Sequence, residues 1–163
     1  MAGKTQKYSV KRDQWKALPD LNVGRYSHGT CSFKKRYCLV FAGYSFTNAN
    51  DDNPIEMLDT KKISQGWQIL PLNSKRRLPR LMMPSCVQVG ADEILIFAGG
   101  KKEVYEFTVS KRRLHKTRTK ATVNLETDRM PTVCIEGAIP RRVLTFATGN
   151  QKVIQIEPSS RTF

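Results

Sequence analysis

The side chains able to ligate a metal or attack a substrate are few: His28 and His115, with Cys31, Cys38, Cys86 and Cys134. The cysteines are spaced by 7, 48 and 48 residues, which matches no zinc pattern, because such sites pair their ligands at short intervals. Gly99-Gly100-Lys101-Lys102 offers backbone amides and lysines to a phosphate. It lacks the fuller phosphate-loop spacing, however, and leads into a strand-like run instead of a helix. No nucleophile, base and orienting group are brought together by any motif. The expectation is therefore a non-catalytic protein without metal or cofactor, in which cysteine packs as a small hydrophobe. Reduced thiols of that kind point to the cytoplasm.

Charge is the more informative chemistry. Against 14 acidic residues stand 28 Lys and Arg, a formal net of +14, which makes a field that attracts anionic partners. The basic residues come in clusters: Lys34-Lys35-Arg36, Lys61-Lys62, Lys111-Arg112-Arg113 and Arg141-Arg142, with further ones at Lys75-Arg76-Arg77 and Lys101-Lys102. Any one of these is ordinary surface lysine and arginine. Whether they act together depends on the elements that carry them.

Those elements repeat. Phe41-Ala42-Gly43, Phe97-Ala98-Gly99 and Phe146-Ala147-Thr148-Gly149 are one segment written three times, 56 and 49 residues apart, each after a short apolar run. Upstream, Arg25 precedes Cys31 by six residues and Arg80 precedes Cys86 by six, while Arg129 and Cys134 are one closer. Downstream lie Ile55–Asp59, Val104–Thr108 and Val153–Glu157, alternating apolar and polar as half-buried strands do. Gly66-Trp67-Gln68-Ile69-Leu70-Pro71 closes the first copy, and a relative, Gln14-Trp15-Lys16-Ala17-Leu18-Pro19, stands alone near the start.

Four short strands per copy of about 50 residues, with glycine after the second and tryptophan in the fourth, resembles the kelch repeat of β-propeller blades. The resemblance spans Gln14 to Glu157 and is carried by Gly43, Gly99, Gly149, Trp15 and Trp67. Departures stand beside it: Ala42, Ala98 and Ala147 occupy the first place of the usual glycine pair, and the second copy has no tryptophan. The resemblance implies an all-β fold of three four-stranded antiparallel blades, a partial propeller or half of a six-bladed ring. Blade one runs over about 25–72, blade two 80–124 and blade three 129–157, with 1–13 a basic tail. Strands are expected near 30–33, 37–43, 55–59 and 66–70; then 85–90, 93–98, 103–109 and 116–123; then 132–136, 143–147 and 152–157. The three cysteines Cys31, Cys86 and Cys134 would share one position on the first strand.

Blade three then lacks its fourth strand, which the strand at 14–21 supplies by kind. Propellers close with roughly four to eight blades, so three leave open edges, each a template for another chain. A homodimer closing a six-bladed ring is one expected solution. Some kelch-type propellers hold a copper radical site with two imidazoles and two phenolates. His28, ahead of a first strand, and His115, near a fourth, are too far apart to form one.

Antiparallel strands place the turns between first and second strands, and between third and fourth, at one end. That end gathers Lys34, Lys35, Arg36, Lys61, Lys62, Lys111, Arg112, Arg113, Arg141 and Arg142. The kelch resemblance implies a protein-binding scaffold with cytoskeletal proteins or large assemblies as clients, and the charge makes the partner acidic. RNA phosphates, with the chain as a basic subunit of a ribonucleoprotein, are the alternative. Aromatic residues do not interleave the basic clusters as they do in single-strand binders. No apolar run reaches the roughly 18 residues of a membrane span.

Overall fold

The computed structural model describes residues 3–45, 54–73, 81, 83–97, 103–117, 132–135, 142–147 and 152–156, the last three segments by their backbone alone. The described residues form antiparallel sheets, with one 3-10 turn at Ile63–Gln65 and no α-helix. Strands β1 (Thr5–Ser9) and β2 (Gln14–Leu18) make a hairpin. A first four-stranded sheet follows in chain order: β3 (Gly29–Phe33), β4 (Tyr37–Phe41), β5 (Ile55–Asp59) and β6 (Trp67–Leu70). A second comprises β7 (Ser85–Gln88), β8 (Glu93–Phe97), β9 (Val104–Thr108) and β10 (Arg113–Lys116). The third has β11 (Thr132–Ile135), β12 (Arg142–Ala147) and β13 (Lys152–Ile156).

Alternation explains these strands. Along β3, Gly29, Cys31 and Phe33 are buried while Thr30 and Ser32 are exposed. β4 and β8 are apolar on both faces, as strands flanked by neighbours must be. The sheets stack face to face. Leu39, Phe41 and Ile55 of the first sheet pack on Ile94, Ile96 and Phe107 of the second, with Phe41 and Phe107 edge to face at 5.7 Å between centroids. The first strand of each sheet neighbours that of the next, β3 beside β7 and β7 beside β11.

A saturated ionic network ties the chain entering the first sheet. Arg25 and Glu56 are fully buried and meet at 2.5 Å. Arg25 also donates to the carbonyls of Val23, Ala42 and Pro54, and the Glu56 carboxylate accepts from the backbone of Asn22 and Val23 and from the Asn22 amide. Burial pulls the Arg25 guanidinium below its usual range, and Glu56 opposes the shift. At the repeated Phe-Ala-Gly segment, Ala42 and Gly43 both have positive φ, 51° and 88°. A Cβ on Gly43 would come within 2.8 Å of the Tyr26 carbonyl oxygen. The site therefore asks for a glycine pair, and Ala42 occupies the first place at a conformational cost.

Three expectations are corrected. The fourth strand of the second unit is Arg113–Lys116, not 116–123. Leu114 there pairs with Phe107 as Trp67 pairs with Leu58, so leucine fills the tryptophan place. Residues 1–13 are not simply a tail, because Thr5–Ser9 forms β1 and pairs with the Trp15 strand. That strand thus has a neighbour in the third-strand place from the same chain, and among the described residues of one chain it makes no pair with the third sheet. The cysteines also do not share a position. Register aligns Cys31 with Val87, Thr30 with Cys86, and Ser32 with Cys134. Cysteine and the Phe of Phe-Ala are 10, 11 and 12 residues apart in the three copies, and lengthened turns shift each first strand against the second.

Candidate interaction surfaces

The basic turns form from local backbone choices. Between β3 and β4 the Arg36 N–H bonds the Phe33 carbonyl at 3.1 Å, and Lys34 and Lys35 both adopt positive φ, 50° and 52°. Turns of this hand prefer Asn-Gly or Gly-Gly. Lysine there costs about 1–2 kcal/mol per residue. Between β9 and β10 the Arg112 N–H bonds Val109, and Arg112 has φ 49°, again where glycine or asparagine is easier. Lys34 lies over Phe33, 5.0 Å from its ring centre.

Register puts these turns at one end. Phe33 opposes Tyr37 and Tyr37 opposes Asp59, so Lys34–Arg36 and Lys61–Lys62 are neighbours. The Lys34 N–H donates to Gln88 at the end of β7, which brings the second sheet's corresponding end alongside. There Val109 and Ser110 donate to Asp92, fixing the turn that bears Lys111 and Arg112. The turn is also held from outside, because Asn73 donates to the carbonyls of Arg112 and Lys111. Arg113 opens β10, and Arg142 opens β12 opposite Ile135, at the same end of the third sheet. Arg141, Gly99 and Gly149 lie outside the described residues.

Not every cation at this end is free to meet a partner. Arg36 clasps Asp59 through two nitrogens, at 2.9 and 2.5 Å. That bond depresses the Asp59 carboxyl to about 2, and Asp59 also accepts from the Lys61 N–H. Arg36 is thus a structural clasp. Among the described residues, Lys34, Lys35, Lys61, Lys62, Lys111 and Arg112 have no carboxylate within ion-pair distance.

Two further surfaces lay outside the sequence reading. A cavity of about 440 Å³ separates β1 from the first sheet, walled by Leu18, Cys38, Val40, Leu58 and Trp67 and edged by Lys4 and Lys7. His28 borders it, with Nδ1 buried and unpartnered, and burial followed by the Arg25 charge lowers its pKa. On the far side of the hairpin Tyr8 and Trp15 stack at 5.1 Å, and Trp15 is 68% exposed. Lys7 and Lys16 flank this pair in sequence, apart from the basic clusters of the turns. Only the order carried a signal: Thr5–Ser9, a basic turn and then Trp15 follow one another as Ile55–Asp59, Lys61-Lys62 and Trp67 do.

His28 borders the cavity on the first sheet, whereas His115 lies on β10, 3.5 Å from Glu106. Among the described residues no three His, Cys, Asp or Glu side chains gather where an ion could sit. No described helix is long and apolar enough to cross a membrane. Neither protein-family models nor curated proteins gave a match to this chain.

Proposed function

We propose that the chain is an arc of kelch-type β-propeller blades acting as a non-catalytic scaffold that binds an acidic protein through its basic end. The support is the pair Lys34 and Lys35, held at positive φ where Asn-Gly would fold more easily. Backbone strain of this kind clusters at binding and switch sites. Lys61, Lys62, Lys111 and Arg112 extend the same unpaired positive field across two sheets. A ribonucleoprotein role, with RNA phosphates on this end, is the second reading, and the net charge of +14 favours it.

The test compares the native chain with a variant carrying Lys34→Glu, Lys35→Glu, Lys111→Glu and Arg112→Glu. Arg36 is left in place because it holds Asp59. A polyglutamate peptide and a generic single-stranded RNA serve as probes over about 50–200 mM salt, the range in which phosphate contacts weaken steeply. The native chain should bind the acidic peptide, and the variant should lose it while its melting temperature stays near native. Preference for RNA with a steep salt slope would transfer the surface to the second reading. Unchanged capture of both probes by the variant would remove the basic end from either role.

A further inference from the structure

The sheets stack with a constant sense. On the second sheet, Ile94, Ile96, Phe107 and Leu114 face the first. Their counterparts by register on the first sheet are Cys38, Val40, Leu58 and Trp67, which must face whatever precedes it. What precedes it is the β1–β2 hairpin, whose pairing copies β5–β6. Tyr8 opposes Trp15 as Leu58 opposes Trp67, and Thr5 opposes Leu18 as Ile55 opposes Leu70. The hairpin thus corresponds to the third and fourth strands of a sheet. It covers the outer positions, where Leu18 and Leu21 pack on Leu58 and Trp67, and Trp67 Nε1 donates to the Pro19 carbonyl. Of the inner positions, Val40 is buried in the same cluster, and nothing described lies over the other two. Thr30, the counterpart of the half-buried Cys86, is exposed, and Cys38, the counterpart of fully buried Ile94, lies on the cavity wall.

We infer that β1–β2 is the outer half of a four-stranded sheet, and that the free edge of β1 with the cavity behind it accepts a two-stranded antiparallel hairpin from a partner protein. Among the described residues β1 has only β2 beside it, so its other edge offers backbone groups for pairing. Addition of strands to such an edge is a recurrent mode of recognition, in which main-chain bonds give affinity and pockets for alternate side chains give specificity. The incoming hairpin places apolar side chains over Thr30 and Cys38, as β4 places Leu39 and Phe41 against the second sheet. Acidic residues at its margin meet Lys4 and Lys7. This site is separate from the basic end and does not depend on that reading.

The chain's own inner hairpin is the probe: a synthetic peptide of residues 28–43 carrying Cys31→Ser and Cys38→Ser, with Lys34→Asn and Lys35→Gly to close its turn. Added to the full chain, it should slow alkylation of the protein's Cys38 at least tenfold, read at that residue by mass spectrometry, and protect the Thr5–Ser9 amides from hydrogen exchange. A scrambled peptide should do neither. Thr30→Trp, on an exposed floor position, should leave melting unchanged and abolish both effects. Charge reversal at Lys34, Lys35, Lys111 and Arg112 should alter neither, which separates this site from the basic end. Absence of protection at saturating peptide, or protection that survives Thr30→Trp, would overturn the inference. Protection that rises with the chain's own concentration, without peptide, would assign the site to a second copy instead.

Discussion

Ile94, Ile96, Phe107 and Leu114 on the second sheet stand where Cys38, Val40, Leu58 and Trp67 stand on the first. The outer pairs have the same fate, since Phe107, Leu114, Leu58 and Trp67 are all buried. Of the inner ones, Ile96 and Val40 are also both buried, but Ile94 is completely buried whereas Cys38 is half-buried on a cavity wall. A strand's own sequence therefore does not decide how buried it is. Each sheet finishes its core only when a neighbour lies over it, as in repeat proteins whose stability is a sum of units and interfaces.

The largest effect should come from the feature that the second sheet lacks. Glu56 has its counterpart in Tyr105, and no buried ion pair is found in the second sheet among the described residues. Glu56→Ala would leave Arg25 buried and uncompensated, a loss of about 3–5 kcal/mol. Urea denaturation should show it, and the paired change Arg25→Met with Glu56→Leu should recover much of the loss. If Glu56→Ala and Tyr105→Ala cost the same, the ionic network would contribute nothing special.

Next in size is a direct contrast of inner positions. Ile94→Ala should cost about 2–5 kcal/mol, as for other buried aliphatic truncations. Cys38→Ala removes one sulfur beside an existing cavity and should cost under about 1 kcal/mol, within the range for substitutions away from filled cores. Equal losses would mean that the cavity is filled in solution.

Much of this comparison was legible beforehand. The Phe-Ala-Gly segments fixed the second strands, and alternation fixed the third at Ile55–Asp59 without error, because both signals are periodic and local. The fourth strand of the second unit was displaced because the tryptophan that marks it in the first is Leu114, an ordinary apolar residue in a basic stretch. The cysteines misled because equal Arg-to-Cys spacing conceals turn insertions that only pairing reveals. β1 was missed for want of apolar residues. Its burial is slight, and Thr5, Gln6, Lys7 and Tyr8 give an alternating strand little hydrophobic contrast. The basic end was readable as a cluster, but not the division of labour within it, since only coordinates show Arg36 committed to Asp59.

The turns offer a smaller contrast. Replacing Lys34→Asn and Lys35→Gly supplies residues suited to positive φ and should stabilise the chain by about 1–2 kcal/mol, in line with left-handed strain on non-glycine residues. Thermal melting would rise while binding to an acidic probe falls, an opposition expected of strain retained for function. A rise in melting with binding intact would detach the strained turn from partner recognition.

The smallest effect separates the same ends of the two sheets by pH. In the first, Arg36 clasps Asp59, and the Asp59 carboxyl falls from an ordinary 3.8 to about 2. In the second, Thr108 stands in the place of Asp59, and the corresponding end is tied by Asp92 to Ser110. Because the folded carboxyl binds its proton less readily than the unfolded one, the clasp contributes fully above the unfolded value. Its contribution declines as pH falls from about 4 and is lost as pH passes about 2. The pair is partly exposed, so salt should weaken the effect. Stability followed from pH 6 to 2 should show an acid-dependent component that Asp59→Asn removes and Thr108→Ala leaves in place. An identical profile in native chain and Asp59→Asn would show that the clasp adds no stability and that the two ends are equivalent.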